Sequence, residues 1–184
     1  MAKLKKFDKP KAAEGKVTLA IQYAKALLAI ASKDSTRENL KHIMVATGPD
    51  GRPWLATTDG KCAFYVQCEA AEASTLSSPV LMVADVLGAI ASARANKQDY
   101  ITVEIKKNDA TTTPIWQVYP TRAYSETSKG VGIDPALLAS ICESVSLCSN
   151  GDGVTMDFGS NVDAVTIESV CGQARALIMP MRIK

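Results

Sequence analysis

The chain has 184 residues, a net charge of +2 and an apolar fraction of 47%, and a chain of this size can bury a hydrophobic core without disulfides or metals. This charge excludes a protein that is polycationic over its whole surface. The absence of a secretory signal, of an apolar run of ~18 residues and of any C-x-x-C cysteine pair leads us to expect a cytoplasmic protein with no membrane contact.

Positive charge is concentrated at the N-terminus, where residues 1–16 contain six lysines and two acidic residues. We expect residues 1–15 to form a flexible basic arm, as polar chain ends often do. The alternative is that this arm contacts nucleic acid or an acidic partner. The candidate DNA-contacting side chains of the arm are Lys3, Lys5, Lys6, Lys9 and Lys11.

Three stretches have apolar side chains at helical spacing and predict helices over residues 17–32, 84–96 and 134–145. The third stretch begins with Asp134 and Pro135, which favour the N-cap and the first helical position. Strand patterns occupy most of the remaining chain, at residues 41–48, 52–58, 62–70, 79–84, 100–107, 114–120, 153–159, 164–170 and 175–183. An Asp-Gly pair before each of the second and third strands predicts a hairpin turn.

A helix followed by two or three strands therefore occurs about three times along the chain. Because helices do not alternate singly with strands, the pattern predicts an α+β fold with helices packed on one face of antiparallel sheets. In residues 62–70, Cys62, Phe64, Val66 and Cys68 share one parity, so both cysteines are predicted to lie in the core. The polar residues 121–132 are the best candidate for a linker.

The sequence contains no recognisable catalytic or metal-binding constellation. The single histidine, His42, lies in a predicted apolar strand and is more typical of a structural residue than of a catalytic one. Motifs for nucleotide binding, metalloprotease chemistry and serine hydrolysis are missing, and residues 149–153 lack the carboxylates of a calcium loop. We therefore expect a binding protein with no enzymatic activity, cofactor or metal; a small enzyme that uses Cys62 or His42 is the alternative.

Two motifs indicate a known family. Residues 176–184, ALIMPMRIK, resemble the C-terminal strand of the bacterial sliding clamp, the ring-shaped β subunit that tethers DNA polymerase III to its template. Residues 55–66, LATTDGKCAFYV, are similar to the Thr-Asp-Gly loop of the clamp's middle domain, although Lys61, Cys62 and Ala63 stand where His, Arg and Leu are usual. The alternative is convergent α+β packing with a fortuitous tail.

Sliding clamps have three domains in each chain, and each domain has two similar halves. The resemblance implies a middle-type domain at residues 16–120 and, after the linker, a half-domain at residues 133–184 that resembles the closing half of the last domain. An odd number of halves leaves a sheet edge and a helix face uncovered, so we expect homo-oligomers. Alternatively, a loop or the N-terminal arm covers the edge.

In sliding clamps, a hydrophobic pocket between the middle and last domains captures short peptides that present a glutamine and a bulky apolar pair. The resemblance implies the same pocket here, formed by Leu40, Thr58, Gly60, Lys61, Cys62, Ala63, Leu177, Ile178, Met179, Pro180, Met181 and Arg182. Both parities of the terminal strand are apolar, which a strand with one solvent-facing side does not require. The alternative is that these residues only pack the last sheet.

The resemblance implies a processivity factor of DNA replication, or a truncated clamp homologue, that binds polymerases or other clamp-binding proteins through short peptides. The alternative is a regulatory decoy that competes with a full-length clamp for its partners without encircling DNA. Clamp helices carry basic residues for sequence-independent contact with double-stranded DNA. The predicted helices here offer only Lys25 and Arg94 for that contact, which favours the decoy slightly.

Overall fold

The computed structural model describes residues 15–31, 40–48, 51–70, 78–108, 132–149, 153–158 and 164–180. The helices of these segments are α1 (Ile21–Ile30), α2 (Val83–Ala95) and α3 (Pro135–Cys148). Their strands are β1 (Lys16–Ala20), β2 (Ile43–Thr47), β3 (Pro53–Thr58), β4 (Cys62–Gln67), β5 (Glu69–Ala70), β6 (Pro79–Leu81), β7 (Tyr100–Glu104), β8 (Lys106–Lys107), β9 (Val154–Asp157), β10 (Val165–Ser169) and β11 (Ala174–Ile178). The strand predicted at 114–120 and most of the predicted arm and linker lie outside the described residues.

The described strands form two antiparallel sheets. The larger has eight strands in the order β8-β6-β2-β3-β4-β11-β10-β9, and the smaller has three in the order β5-β1-β7. Within each sheet, every pair of neighbouring strands is antiparallel. The predicted α+β fold with antiparallel sheets is therefore confirmed.

The first helix is shorter than the sequence predicts. Residues 17–20 belong to strand β1, where Val17 pairs with Val103 and Leu19 with Ile101. The apolar side chains of these residues fit a strand as well as a helix, and the distant strand β7 supplies the backbone partners that decide between the two. The helix begins at Ile21, whose backbone N–H donates to the carbonyl oxygen of Asp99 at 2.9 Å.

Helix α3 begins where the sequence predicts. The Asp134 side chain accepts hydrogen bonds from the backbone N–H groups of Ala136 (2.8 Å) and Leu137 (3.4 Å). Pro135 occupies the first helical position, where its missing N–H leaves no donor unsatisfied. The helix continues to Cys148, three residues beyond the predicted end.

The main core lies between the helices and the sheets. In it, Phe64 and Val66 of β4 are buried in one cluster with Leu27 of α1, Ile90 of α2 and Ile141 of α3. Cys62 and Cys68 belong to the same cluster, so the predicted core position of both cysteines is confirmed. We call this side of the eight-stranded sheet its helix-facing side.

The opposite side of the eight-stranded sheet, here called its outer face, carries a second buried cluster. The members of this cluster have the opposite parity from the main core along their strands, and they are Met44, Trp54, Ala56, Ala63, Tyr65, Val80 and Leu177. Because successive side chains of a strand point to opposite sides of a sheet, the two clusters are separated by the sheet itself. Both faces of the sheet are thus apolar.

The first and third repeats of the chain meet in the eight-stranded sheet, where β11 pairs with β4 on one side and with β10 on the other. Helix α1 contacts both α2 and α3. Five strands of residues 16–120, namely β2, β3, β4, β6 and β8, therefore share one sheet with the three strands of residues 133–184. The division of the chain into a middle-type domain and a closing half-domain stays a prediction.

Candidate functional site

The loop between β3 and β4 is locked by its own side chains. The Asp59 carboxylate Oδ1 accepts hydrogen bonds from the backbone N–H groups of Lys61 (2.8 Å) and Cys62 (2.9 Å). The Thr58 hydroxyl donates to the Cys62 carbonyl at 2.6 Å and accepts from the Gly60 N–H at 3.0 Å. Gly60 has φ +88°, in the left-handed region that favours glycine. The sequence Thr-Asp-Gly therefore builds a rigid turn.

The structure brings the end of β11 directly beside this turn. Leu177 pairs with Ala63 in the antiparallel ladder between β4 and β11. One residue beyond the strand, the Met179 N–H donates to the Lys61 carbonyl at 3.1 Å. The two sequence motifs, which are far apart in the chain, are thus adjacent strands at one end of the sheet.

The outer face at this end is apolar and partly open. Ala63 and Leu177 are 8% and 2% exposed and belong to the outer-face cluster. Met179 has the same parity as Leu177 and is 48% exposed, and Pro180 is partly buried. An exposed methionine beside a buried apolar surface offers a flexible, polarizable contact for an apolar ligand group.

Cys62 and Ile178 require a correction to the predicted pocket. Their side chains are 4% and 0% exposed and lie in the main core on the helix-facing side. Burial, followed by the nearby Asp59 carboxylate, raises the pKa of the Cys62 thiol to about 12. These two residues contribute backbone to this end of the sheet, and their side chains are not available to line a pocket on the outer face.

The remaining predicted site residues are spread over several places. Leu40 is partly buried just before β2, and Lys61 is exposed at the tip of the turn. Lys25 of α1 and Arg94 of α2 are exposed. Other predicted contacts lie outside the described residues, namely Met181, Arg182, Lys3, Lys5, Lys6, Lys9 and Lys11.

His42, predicted to be a structural residue, is partly buried. It lies just before β2, where Met44 pairs with Ala56 of β3 and with Val80 of β6.

The described part of the chain contains neither a metal cluster nor a membrane-spanning helix. Within it, no group of three or more His, Cys, Asp or Glu side chains is arranged to hold a metal ion. None of the helices described is long and apolar enough to cross a membrane.

Comparison with known proteins assigns the architecture to a class. No protein-family profile and no curated protein sequence matches the chain, whereas solved structures of bacterial sliding clamps, the β subunit of DNA polymerase III, match most of its length. The predicted resemblance to this fold is therefore confirmed.

Three of the matching structures show the extent of the likeness. The sliding clamp of Caulobacter crescentus matches with a TM-score of 0.69 and 13% identity, over 96% of this chain and 69% of that chain. The β subunit of Thermotoga maritima matches with a TM-score of 0.66 and 12% identity, over 100% and 70% of the two chains. A clamp of Bartonella birtlesii bound to griselimycin gives 0.55 and 15%, over 97% and 70%. At these identities the likeness establishes the fold.

Proposed function

We propose that this protein is a non-catalytic, sliding-clamp-like factor of DNA replication that captures short peptides of polymerases or other clamp-binding proteins. The peptide would bind on the outer face in a groove, defined here by Thr58, Lys61, Ala63, Leu177, Met179 and Pro180. The observation that carries this proposal is the register of β4 against β11, which joins the Thr-Asp-Gly turn to the Leu-Ile-Met-Pro segment.

The physical properties of the groove suit an extended peptide. Met179, which is 48% exposed, supplies an apolar wall that a ligand would cover, and Ala63 and Leu177, which are 8% and 2% exposed, lie next to it on the same face of the sheet. The turn is already ordered by the hydrogen bonds of Asp59 and Thr58, so less conformational entropy is lost on binding.

The groove should prefer a different peptide from that of a typical clamp. In typical clamps this turn contains an arginine, whose planar bidentate contacts Lys61 cannot form. Ala63 stands where leucine is usual and has three fewer carbons. At about 0.8 kcal/mol per buried CH₂, affinity for a standard clamp peptide falls by roughly 2 kcal/mol, about thirtyfold. A bulkier apolar group in the peptide would refill this space, so an altered preference is equally expected.

A titration with a fluorescent peptide that carries a glutamine and a bulky apolar pair tests the proposal. Met179→Asp places a charge in the apolar wall and should weaken binding by roughly thirtyfold or more. Val170→Asp is the matched control, because Val170 is also an exposed apolar residue, at 62%, but lies at the opposite end of β11 in the β10–β11 turn. Equal affinity of the Met179→Asp variant and the wild type, with both folded, would rule the groove out.

A regulatory decoy is the second candidate, and the charge of the helices favours it. Lys25 and Arg94 are the exposed bases described above on α1 and α2, and α3 has neither lysine nor arginine. A protein that slides on DNA needs phosphate contacts along its inner surface. A processivity assay on primed DNA separates the candidates, because a processivity factor lengthens the products, whereas a decoy shortens them when a full-length clamp is present.

Assembly distinguishes the candidates further. A ring around double-stranded DNA requires that copies of the chain associate. The processivity proposal therefore includes a homo-oligomer. Analytical ultracentrifugation should then show association at protein concentrations of about tens of micromolar. A strict monomer at those concentrations would remove the ring and leave the decoy.

A further inference from the structure

Two cysteines meet at the C-terminal end of helix α3. The thiol of Cys171, in the turn between β10 and β11, lies 3.9 Å from the carbonyl oxygen of Cys148, the last residue of α3. Within one residue the carbonyl oxygen and Cβ are about 3 Å apart, so the Cys171 sulfur is also close to the Cys148 side chain. Both cysteines are free thiols, and they are 23 positions apart in the chain.

Tyr23 of α1 gives independent evidence that the two thiols lie together. Its hydroxyl donates a hydrogen bond to Gln173 Oε1 at 2.6 Å, two residues after Cys171. Burial raises the pKa of Tyr23 to about 12, and the charges of Cys148 and Cys171 add to this rise. Because the interaction of two charges weakens with distance, both thiols lie near the same hydroxyl.

The turn that carries Cys171 is ordered by its own hydrogen bonds. The Gly172 N–H donates to the Ser169 carbonyl at 2.8 Å, and Gly172 has φ +69°. The Ser169 hydroxyl accepts from the Ala174 N–H at 3.0 Å and donates to the Ala174 carbonyl at 3.2 Å. The Cys171 thiol lies 3.4 Å from the same hydroxyl oxygen. The turn thus holds Cys171 beside the end of α3 with little conformational freedom to lose.

The five cysteines differ in exposure and in distance from one another. Cys171 is exposed, whereas Cys148 is fully buried. Cys62 and Cys68 are also buried, but six residues of extended chain separate them by roughly 20 Å. Cys142 lies six residues before Cys148, roughly 9 Å away along α3. A reagent in solution therefore reaches Cys171, and Cys148 is the cysteine that the structure places next to it.

We infer that Cys148 and Cys171 form a redox-sensitive pair, which an oxidant of the small-disulfide class, such as oxidised glutathione, converts into a disulfide between α3 and the β10–β11 turn. Cys171 first attacks one sulfur of the oxidant. The S–S bond of the oxidant breaks, one half leaves as a thiol, and the other half forms a mixed disulfide with Cys171. Cys148 then attacks the Cys171 sulfur, and the second half leaves as a thiol. Two protein thiols are oxidised, each gives its proton to a departing thiolate, and the oxidant is reduced to two thiols.

Burial makes Cys148 suitable for the second step only. Burial, followed by the charge of Cys171, raises the pKa of Cys148 to about 12, so this thiol is inert towards reagents in solution. A mixed disulfide at Cys171 is uncharged at the sulfur, which removes the second of these causes. The completed bond stabilises the protein by restricting the unfolded chain, and reductant reverses it. The inference is independent of the proposed groove, which lies at the opposite end of β11.

Peptide mapping of oxidised full-length protein tests the pair. Reduced protein is incubated with oxidised glutathione under native conditions, the remaining thiols are blocked, and the chain is cleaved after glutamate. Cleavage at Glu143 and Glu168 places Cys142, Cys148 and Cys171 in three different fragments. Mass spectrometry should find the Cys148 fragment joined to the Cys171 fragment, and the thiol count should fall from five to three.

Thermal unfolding gives a second readout. The oxidised protein should unfold at a temperature roughly 5 °C higher than the reduced protein, and reductant should remove this difference. An unchanged or lower unfolding temperature of the cross-linked protein would overturn the stabilising role of the bond.

Three variants assign the two steps. Cys171→Ser should prevent the reaction, and Cys148→Ser should accumulate the mixed disulfide at Cys171. Cys142→Ser is the matched control, because it removes another cysteine of α3 and should form the same bond as the wild type. Folded wild-type protein that keeps five thiols or stops at the mixed disulfide would overturn the inference. A bond from Cys171 to Cys142, or one that forms only in urea, would overturn it as well. Circular dichroism establishes that each variant is folded.

Discussion

Neighbouring residues of β11 face opposite sides of the eight-stranded sheet and enter different environments. Ile178 is fully buried in the main core beneath the helices. Leu177 is almost as buried, but it belongs to the smaller outer-face cluster, next to the half-exposed Met179. One face thus carries the main core beneath the helices, and the other carries a smaller buried cluster that ends beside one half-exposed methionine.

The outer face also carries polar contacts between side chains of different strands. The Arg175 guanidinium lies 5.3 Å from the centroid of the Trp54 ring and 3.0 Å from the Glu168 carboxylate. Cross-strand contacts of this kind hold an exposed sheet surface in register. The comparison indicates that stability resides mainly on the helix-facing side, whereas the groove that we propose lies on the outer face.

Ile178→Ala should have the largest effect on stability. Removing the side chain leaves a cavity in the main core, and such substitutions cost about 2–5 kcal/mol, so we expect a loss near 4 kcal/mol. Urea unfolding followed by circular dichroism measures this loss. The affinity of the folded fraction for the peptide should not change, and a large loss of affinity would break the separation of the two faces.

Leu177→Ala should have a smaller effect on stability and a larger one on binding. The outer-face cluster is smaller and ends beside the half-exposed Met179, so the cavity collapses more easily and the expected cost is about 2–3 kcal/mol. The same residue forms the floor of the groove, so peptide affinity should fall by roughly tenfold. A peptide affinity equal to that of the Ile178→Ala variant would contradict the assignment of the groove to this face.

Alkaline pH should weaken the helix-facing side through its buried thiols. Burial raises the pKa of both Cys62 and Cys148 from 9.0 to about 12. Below pH 9 both thiols are protonated in the folded and unfolded chains, and stability is complete. Above pH 9 the unfolded chain releases protons that the folded protein retains, so at pH 10 each thiol lowers the free energy of unfolding by roughly 1 kcal/mol.

Urea titrations at pH 8, 9 and 10 measure this dependence. The variant Cys148→Ala should be less stable at pH 8 but lose less of its remaining stability between pH 8 and pH 10, because it lacks one of the two thiols. An alkaline slope equal to that of the wild type would show that Cys148 is not protected in the folded state.

Asp59→Ala should loosen the turn beside the groove. Loss of the carboxylate removes the hydrogen bonds to two backbone N–H groups, at a cost of about 1 kcal/mol for this partly exposed site. Peptide affinity should fall by roughly threefold, since the turn must then be ordered on binding. Asp134→Ala is the matched control, because it removes a similar cap from α3 away from the groove. Equal peptide affinities of these two variants would mean that the order of the turn is irrelevant to binding.

Glu168→Gln should have the smallest effect. The ion pair with Arg175 lies on side chains that are about one third exposed, so its contribution to stability is less than about 0.5 kcal/mol. Comparing urea unfolding at low and high salt measures it. A loss above about 1 kcal/mol would show that the contacts of Arg175 and Trp54 hold the outer face together more strongly than this comparison assumes.

The sequence predicted the elements better than their boundaries. Asp134 and Pro135 marked the start of α3 because a helix cap is a local interaction. Val17 and Leu19 fall within the stretch predicted as the first helix, because apolar side chains at these positions are compatible with a helix as well as with a strand. Their strand conformation depends on β7, which lies far along the chain, and no local pattern carries that information.

The candidate site was predicted as two sequence motifs, and its geometry required the sheet register. Cys62 had the parity of the core residues Phe64 and Val66, yet its place in the Thr-Asp-Gly motif also suggested a pocket residue; pairing with Ile178 places both side chains on the helix-facing side.

The pairing of β4 with β11 also has a consequence for the order of events during folding. These strands are more than a hundred residues apart in the chain, and contacts of such high sequence separation form slowly because a long loop must close first. During synthesis the turn at Asp59 leaves the ribosome long before β11, so a nascent chain holds the turn of the proposed groove without the wall that β11 would supply. The protein would therefore bind a partner only after β11 has paired with β4. The partner peptide would then bind folded molecules alone and stabilise them by mass action.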